Sequence, residues 1–478
     1  MSKYLYFLSR IISLLVLVVI IFSCQKNDLN KSELPQNEEL SNLDLIQIKE
    51  RGKIVAVTSY NSVNYFMYKG LPMGYQFEML KLLAEDLHVS LEIVVNNDNE
   101  DTFAKLNSGE YDIIANNLTI TPSRLKQINF TSPLTNTKQV LIQRTQDDKS
   151  ALQNHFIKEI NELEGKTIYV QQGTVFVETL QELSTTFKTP ITIIELPEEQ
   201  EDIIKLISKG EINYTVCDEN VAQVNQTYYS NIDINISLSN DQQIAWGVRK
   251  TSSHLLNAIN NWLYESKKTG QTRILYTKYF NNKRSKNIIN SEYYTLSSGK
   301  ISVFDEIIKQ KSQLLNWDWR MVSSMIYQES RFNPDAESWV GAYGIMQLMP
   351  NTAILYGVDK ESSTDEQITA GIKHLRYLDK KITKLGITDQ DQRIKFVLAS
   401  YNVGLGHILD ARRLAEKYGK DPNVWDNNVD FFILNKSKPQ YYKDPIVRYG
   451  YARGSETYNY VKEINDRYEH YKNLADLN

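Results

Sequence analysis

One change in the pattern of apolar residues constrains the fold of this chain more than any other feature. Up to about residue 280, short apolar runs alternate with amphipathic stretches, whereas from residue 301 onward only helical periodicity remains. Strands that alternate with helices are typical of an α/β domain with largely parallel sheets. The sequence therefore predicts a multidomain protein, in which a two-lobed α/β domain precedes an all-α domain.

The apolar runs and periodic stretches give approximate positions for the elements. Strands are predicted at 54–59, 91–95, 111–116, 166–171, 191–196, 213–218 and 244–249. Helices of the first domain are predicted at 75–87, 101–108, 174–187, 199–209 and 254–268. Those of the second domain are predicted at 301–315, 318–330, 364–384, 391–402 and 456–471.

The length of 478 residues exceeds what one ordinary core accommodates, so several segments are expected. They are a signal peptide at 1–23, a flexible tether at 24–44, the α/β domain at 45–282, a polar linker at 283–300 and the helical domain at 301–478.

The first 24 residues have the layout of a secretory signal, with basic residues before an apolar run. Residues 21–24 (IFSC) resemble the lipobox of bacterial lipoproteins, which implies cleavage before Cys24 and acylation of that cysteine. Several acyl chains would anchor the protein firmly to a membrane. A single spanning helix over 5–22 is the alternative. By analogy, residues 25–26 (QK) favour the periplasmic face of the outer membrane.

Composition excludes several classes of partner. The net charge of −4 gives no reason to expect nucleic acid, and 41% hydrophobic with 23% charged residues is typical of soluble domains. The six histidines show no metal-ligand spacing, so no metal and no cofactor are predicted. Cys217 would have no disulfide partner if Cys24 carries lipid, and it reads as a small buried residue.

A carboxylate lies on the apolar face of a predicted helix in the second domain. Asp318 is a suitable N-cap, and Val322, Met325 and Ile326 form a stripe that faces the core. Glu329 falls on the same stripe, where burial raises the pKa of a carboxyl group, as a general acid near neutral pH requires. The alternative is a glutamate near a helix end that bends out to water.

Four segments around this helix resemble the soluble lytic transglycosylase family, which has the goose-type lysozyme fold. They are 329–334 (ESRFNP), 341–350 (GAYGIMQLMP), 399–404 (ASYNVG) and 456–461 (ETYNYV). Their order and spacing match the family, which makes coincidence a poor explanation.

This resemblance implies a role for eight residues, with Glu329 matching the catalytic glutamate. The glycan-binding residues that it implies are Ser338, Gln347, Met349, Tyr401, Asn402, Glu456 and Tyr460. Core packing is the alternative for Met349 and Tyr460, and loop bracing is the alternative for Gln347 and Asn402.

The implied reaction is cleavage of the β-1,4 bond between N-acetylmuramic acid and N-acetylglucosamine in peptidoglycan. Most glycosidases need two carboxylates, but the resemblance supplies one in the catalytic position, Glu329. One suffices when the 6-hydroxyl of the sugar is the nucleophile, and the product is then a 1,6-anhydromuramyl sugar.

The first domain resembles the family-3 extracellular solute-binding proteins, which are two-lobed periplasmic binding proteins. The resemblance rests on 51–54 (RGKI), 74–78 (GYQFE), 117–124 (NLTITPSR) and 130–133 (FTSP). It implies a small amino acid or muropeptide ligand. The binding residues that it and the local pattern suggest are Asn117, Thr119, Arg124, Gly173, Thr174 and Asp218.

Each of these positions has a chemical reason. Arg124 with Thr119 would clamp a carboxylate, Asp218 would pair with an α-amine, and Gly173 with Thr174 would present backbone N–H groups at a helix start. The alternative is a scaffold without ligand, with Arg124 in a surface salt bridge. The polar Thr58–Ser59 end of the first strand departs from relatives that often have an acid there.

The fusion of both modules behind a lipobox resembles the membrane-bound lytic murein transglycosylases, and it suggests that the front domain regulates cleavage. Three alternatives stay open: a hydrolytic muramidase, an envelope sensor with an inactive lysozyme-like domain, and a transport receptor for amino acids.

Overall fold

Two mixed sheets build the first domain, and helices build the second. The computed structural model describes residues 42–96, 99–146, 156–281 and 299–473. The predicted signal peptide, Cys24 and most of the predicted tether and linker lie outside these ranges. Within the described residues, no helix is long and apolar enough to cross a membrane.

The strands of the described residues are β1 (Lys53–Thr58), β2 (Phe66–Tyr68), β3 (Leu71–Met73), β4 (Ser90–Val95), β5 (Ile113–Thr119), β6 (Asn129–Phe130), β7 (Thr135–Thr137), β8 (Gln139–Arg144), β9 (Thr167–Gln171), β10 (Thr192–Leu196), β11 (Thr215–Asp218), β12 (Ile232–Asp233) and β13 (Gln242–Val248). Seven of them lie close to their predicted positions, and six are additional, of which β8 has six residues and the others two or three.

The helices in the described part of the first domain are α1 (Leu45–Arg51), α2 (Tyr75–Leu87), α3 (Asn99–Ser108), α4 (Pro122–Gln127), α5 (Phe176–Ser184), α6 (Gln200–Lys209), α7 (Glu219–Gln226), α8 (Ser253–Lys268) and α9 (Gln271–Phe280). Five of these nine helices lie close to their predicted positions, and α1, α4, α7 and α9 are additional.

The second domain is helical, and its described residues contain no strand beyond isolated bridges. Its helices are α10 (Asp305–Ser312), α11 (Trp319–Ser330), α12 (Pro350–Leu355), α13 (Thr364–Thr383), α14 (Gln390–Val403), α15 (Leu405–Lys417), α16 (Asp430–Leu434), α17 (Pro439–Tyr442) and α18 (Gly454–Lys472).

The two sheets define two lobes. Lobe 1 has the order β4–β1–β5–β13–β6, with β7 also paired to β13, and lobe 2 has the order β10–β9–β11–β8–β12. The pairs β1–β4, β1–β5, β9–β10 and β9–β11 are parallel, whereas β13 and β8 pair antiparallel to their neighbours. The expectation of largely parallel sheets is therefore only half right. The chain crosses between the lobes twice, and the first strand after each crossing, β8 in lobe 2 and β13 in lobe 1, runs antiparallel to its neighbours.

The helical domain packs around its own core, and α18 runs through it. Buried residues of α11, α13, α14, α15 and α18 form one apolar cluster. Gly454 at the start of α18 allows a close crossing, since a Cβ there would lie 1.5 Å from the carbonyl oxygen of Ile433. The catalytic candidates are therefore mounted on mutually packed helices.

The far end of α18 packs against lobe 1. The Tyr471 hydroxyl donates to the carbonyl oxygen of Gly70 at 2.9 Å, and the Tyr65 hydroxyl shares a hydrogen bond of 3.0 Å with His470 Nδ1. Gly70 has φ 75°, and a Cβ there would lie 2.7 Å from the ring of Tyr327 and 2.7 Å from the hydroxyl oxygen of Tyr471. Burial, with smaller contributions from the charges of Arg467 and Lys81, lowers the pKa of His470 to about 4, so its imidazole is neutral at neutral pH.

Candidate catalytic cleft and ligand-binding cleft

Glu329 lies in the last turn of α11, where the apolar stripe of that helix ends. The N-cap is Asp318, as predicted, and its side chain accepts from the backbone N–H of Arg320. Val322, Met325 and Ile326 are buried, so the stripe faces the core. Glu329 itself is partly buried and does not bend out to solvent, and Oε1 accepts a hydrogen bond of 2.5 Å from the Tyr460 hydroxyl.

The pKa of Glu329 is raised to about 7. Burial is the main cause, and the hydrogen bond from Tyr460 lowers the pKa by a smaller amount. Among the described residues, no second carboxylate contributes to this shift. A carboxyl group with a pKa near 7 can give up and regain a proton at neutral pH, as acid and base catalysis requires.

Two tyrosines complete the immediate surroundings of this carboxyl group. Burial raises the pKa values of Tyr401 and Tyr460 well above the usual value, and the charge of Glu329 adds to both shifts. The Tyr401 hydroxyl donates to the carbonyl oxygen of Met346 at 2.7 Å, which fixes its ring beside the loop that follows α11. Both tyrosines therefore stay neutral donors next to Glu329.

The loop from 331 to 349 is tied to α11 and to itself. Ser330 Oγ donates to the carbonyl oxygen of Ile345 at 2.7 Å. Gln347 Nε2 donates to the carbonyl oxygens of Ala336 and Gly344, both at 2.9 Å, which supports loop bracing for this amide. Ser338 Oγ accepts from a backbone N–H within the same loop.

The remaining glycan-binding candidates differ in their surroundings. Asn402 Oδ1 accepts from the Thr457 hydroxyl at 2.7 Å, so α14 is joined to α18. Met349 is 46% exposed, which argues against core packing. The Glu456 side chain is 67% exposed and pairs with Arg453 at 3.5 Å.

Two positions that hold this cleft in shape are absent from the sequence-based set. They are Gln367, whose Oε1 accepts from the backbone N–H of Ile345 at 2.9 Å, and Thr457. Gln367 also lies where a Cβ on Gly344 would clash, at 2.4 Å. A polar residue on a predicted helix gives no signal of either contact, because its partner is distant in sequence.

A second cleft lies between the two lobes of the first domain. Arg124 is buried, only 8% exposed, and its Nη1 donates to the carbonyl oxygen of Thr119 at 3.2 Å. The surface salt bridge that the alternative required is therefore not observed among the described residues. Burial lowers the pKa of Arg124, and the charges of Glu178 and Asp218 oppose that shift.

Asp218 faces Arg124 from lobe 2. Burial raises the pKa of Asp218 to about 7, and the charge of Arg124 lowers it in part. Asp218 Oδ1 is buried and has no hydrogen-bond partner, although the residue precedes α7 at its N-cap position. An unpartnered buried acceptor is costly, so this atom is suited to a donor from outside the chain.

The other candidates of this cleft divide into two groups. Asn117 and Thr174 line the same cavity as Arg124 and Asp218, and Asn117 Oδ1 accepts from Gln76 Nε2 at 3.2 Å. Gly173 is outside that lining, and its N–H faces Glu195 Oε2 at 3.4 Å. The helix starts at Phe176 instead of 174, so the predicted anion site at a helix start is displaced.

Two acids of this cleft are also absent from the sequence-based set. Glu199 and Glu201 line the cavity from the start of α6, and Ser62 of lobe 1 donates to Glu201 through both its backbone N–H and its hydroxyl. An acid at the start of a helix is ordinary on electrostatic grounds, so no pattern in the sequence distinguishes Glu199 and Glu201 from other acids.

Comparison with known families gives two matches. Residues 53–282 match the bacterial extracellular solute-binding proteins, family 3, and residues 306–424 match the transglycosylase SLT domain. Both expected modules are therefore confirmed, in the expected order.

Curated relatives match over almost the whole chain. A membrane-bound lytic murein transglycosylase F from Desulfosudis oleivorans is 32% identical over 426 residues, covering 89% of this chain and 91% of the relative. One of the same name from Aliivibrio fischeri is 30% identical, covering 89% and 84%. Among solved structures, a mutant of ArgBP from T. maritima aligns with 50% of this chain and 100% of its own, at 25% identity and a TM-score of 0.43.

Proposed function

The chain belongs to the membrane-bound lytic murein transglycosylase F family and is a peptidoglycan lytic transglycosylase, and from this premise we propose that Glu329 is its catalytic acid and base. The observation that carries the proposal is the pKa of Glu329, raised to about 7 beside the Tyr460 hydroxyl. That value keeps a large protonated fraction at neutral pH.

The proposed reaction uses one carboxyl group twice. Glu329 protonates the glycosidic oxygen between N-acetylmuramic acid and N-acetylglucosamine, and the bond from that oxygen to C1 breaks. The resulting carboxylate then takes the proton of the sugar's own 6-hydroxyl, whose oxygen bonds to C1. Glu329 thus regains the proton that it gave up, no water is consumed, and the product is a 1,6-anhydromuramyl sugar.

The glycan-binding roles are part of the same proposal. Tyr401 and Tyr460 orient the scissile sugar and the acid, since both are neutral donors beside Glu329. Asn402 presents an amide whose oxygen is fixed by Thr457, and Gln347 and Ser338 shape the loop. The roles of Met349 and Glu456 rest on the family motif.

The test is the identity of the products. Purified peptidoglycan is incubated with the wild-type chain, with Glu329→Gln, and with Glu306→Gln, whose carboxylate is 81% exposed on α10. Mass spectrometry should find anhydromuropeptides from the wild type and the control variant, and at least about a hundredfold less from Glu329→Gln. Reducing-end products instead would identify a hydrolase, and full activity of Glu329→Gln would refute the assignment.

The cell-envelope location follows from the family, and a lipid anchor at Cys24 is the finer proposal. Acylation of Cys24 would hold the enzyme at the periplasmic face of the outer membrane. Mass spectrometry of the mature N-terminus should find an acylated Cys24. In a Cys24→Ala strain the protein should leave the outer-membrane fraction, and its retention there would contradict the anchor.

The front domain is a ligand-binding module of the family-3 type, and we assign its ligand contacts to Arg124, Thr119, Asn117 and Asp218. Arg124 would hold a carboxylate and Asp218 an amine. Binding of a free amino acid or a muropeptide should be lost in Arg124→Gln. Unchanged binding by that variant would remove the assignment.

Helix α18 supports a regulatory role for this module. Tyr460 in its middle bonds to Glu329, and Tyr471 near its end bonds to lobe 1. The two positions are about 16 Å apart along the helix, at 1.5 Å per residue. A ligand that shifts lobe 1 can therefore act on the acid through one rigid element, provided that it favours one of two states.

Regulation is tested by the rate of anhydromuropeptide release with and without added amino acids or a soluble muropeptide. Tyr471→Phe should reduce the ligand-dependent change in rate, since it removes the bond to Gly70. Tyr468→Phe is the control on the same helix, because its hydroxyl bonds to Asp318 within the helical domain. Equal responses from all three proteins would exclude this route.

A further inference from the structure

The front cleft has two electrostatically different ends. Among the described residues that line it, Arg124 is the one base, whereas Asp218, Glu199 and Glu201 are acids. Arg124 and Asp218 act on each other's pKa, while the pKa of Glu199 is raised by burial and, to a smaller extent, by the charge of Glu201. One end is therefore balanced in charge, and the other is acidic.

The acids of the second end have neutral partners. Glu199 Oε1 accepts from Gln171 Nε2 at 2.9 Å, and Glu201 accepts from the backbone N–H of Ser62 at 3.0 Å and from the Ser62 hydroxyl. Neither forms an ion pair within the described part of the chain. Burial raises the pKa of Glu199 to about 8, as expected where a counter-charge is missing.

Hydrogen-bond acceptors in this cleft also lack donors. Asn64 Oδ1, Asn116 Oδ1 and Asp218 Oδ1 are buried and unpartnered, and all three residues line the cavity. Their side chains belong to residues that are no more than 7% exposed. Since an unsatisfied buried acceptor costs about 1–3 kcal/mol, a ligand rich in N–H groups gains most from this surface.

These features fit one class of ligand. We propose that the front cleft binds a free α-amino acid with a cationic side chain, whose cation lies at Glu199 and Glu201. The inference rests on the proposed function of the front domain, in which Arg124 takes the α-carboxylate and Asp218 the α-amine. The remaining N–H groups of the ligand donate to Asn64 and Asn116.

Charge and size disfavour other amino acids and larger ligands. An acidic side chain would be repelled by the charged forms of Glu199 and Glu201, and an apolar one would offer neither carboxyl group an ion-pair partner. The cavity is about 80 Å³, and Ser62 of lobe 1 donates to Glu201 of lobe 2 across it. That space suits a single amino acid, whereas a disaccharide peptide would have to part the lobes.

The test compares two ligands of nearly equal shape. L-Lysine and L-norleucine differ by the terminal ammonium group, so their affinities for the full-length chain report on the acidic end. Isothermal titration calorimetry should give lysine a dissociation constant at least about tenfold below that of norleucine. Lysine should also release more protons than norleucine at pH 7.5, measured in two buffers of different ionisation enthalpy, because the cation favours the charged form of Glu199.

Variants locate the effect. Glu199→Gln should weaken lysine binding and leave norleucine binding unchanged, which also shows that the cleft is folded. The double variant Glu199→Gln with Glu201→Gln should bind both ligands alike. Glu198→Gln is the matched control, since Glu198 is an exposed neighbour outside the cavity lining and should keep the lysine preference.

Each other outcome has a definite meaning. Equal affinity for lysine and norleucine in the wild type, or a lysine preference that survives the double variant, overturns this inference and leaves the proposed binding function intact. Binding of a disaccharide peptide without binding of lysine does the same. If none of these ligands binds, the proposed function of the front domain fails, and the inference fails with it.

Discussion

In the catalytic cleft burial raises the pKa of Glu329 to about 7, and in the front cleft burial raises that of Asp218 to about the same value. Their neighbours differ. Glu329 already accepts from a neutral donor, Tyr460, whereas Asp218 faces the cation Arg124 and keeps one oxygen without a partner. A raised pKa alone therefore does not distinguish a proton donor from a binding carboxylate, and the surrounding contacts do.

The two clefts also differ in how they are held. Glu329, Tyr401 and Tyr460 come from helices that share one core, so their relative positions are fixed by packing. The front cleft is lined from two lobes with separate cores, and Ser62 with Glu201 is a bond between them. Rigid mounting suits a group that must meet a reacting atom, and separate lobes suit closure around a ligand.

The largest effect expected from this comparison is an opposite pH dependence of the two clefts. In the proposed reaction cleavage needs protonated Glu329, so kcat/KM should fall about tenfold for each pH unit above about 7. In the proposed binding mode the ligand amine needs ionised Asp218, so the affinity of the front cleft should fall about tenfold for each pH unit below about 7. Anhydromuropeptide release and calorimetry over pH 5 to 9 measure the two.

The same titrations contain their own controls. Glu306→Gln should leave the cleavage profile unchanged, and Glu198→Gln should leave the binding profile unchanged, because both carboxylates are exposed. If kcat/KM and ligand affinity instead both fell as the pH was changed in one direction, the neighbours of Glu329 and Asp218 would not determine the different roles of these two acids.

A smaller effect is expected from Tyr460→Phe. The lost hydroxyl lowers the pKa of Glu329 in the wild type, so the variant should move the alkaline limb of kcat/KM to higher pH. Its kcat should fall roughly ten- to a hundredfold, the range for a hydrogen bond to a charged group. Tyr468→Phe, whose hydroxyl bonds to Asp318, is the control and should keep the wild-type limb. A limb displaced to lower pH would contradict the assignment of the bond.

Within the described residues, periodicity predicted seven of the thirteen strands and ten of the eighteen helices, each to within about four residues, and among the longer elements it missed β8 and α15. The hairpin of β2 and β3 was missed because each strand has three residues around a tight turn at Lys69 and Gly70. Helix α9 was missed because its sequence has little amphipathic pattern. The boundaries predicted for the domains stay a prediction.

The catalytic cleft was easier to predict than the front cleft. Glu329 was marked by its place on an apolar stripe, a signal contained in one helix. Asn64, Asn116, Glu199 and Glu201 come together only because two lobes face each other, and each reads as an ordinary polar residue in its own segment. A sequence pattern therefore identifies a site residue more readily when the signal lies within one helix or strand than when the site is assembled from distant segments.

The smallest effect expected concerns a contact that lies behind the catalytic cleft. Thr457 donates to Asn402 Oδ1 at 2.7 Å and is buried, so Thr457→Val keeps the shape but leaves this amide oxygen without its donor. Loss of one neutral hydrogen bond costs about 0.5–1.5 kcal/mol, or roughly two- to twelvefold in kcat/KM. Since Glu329 keeps its partner Tyr460, the pH at which cleavage declines should not move.

Rescue separates positioning of Asn402 from general damage to the core. Thr457→Ser retains the hydroxyl and should restore most of the lost rate, although it removes a buried methyl group that Thr457→Val keeps. If serine is slower than valine, packing is the dominant role of Thr457. If Thr457→Val also shifts the pH profile of cleavage, the substitution changes the pKa of Glu329. Helix α18 then influences this acid through more contacts than the hydrogen bond from Tyr460. The expected result is that Thr457→Ser restores the rate and that neither variant shifts the pH profile of cleavage. In that case α18 acts on Glu329 through Tyr460 alone, as expected where packed helices hold the catalytic cleft rigidly.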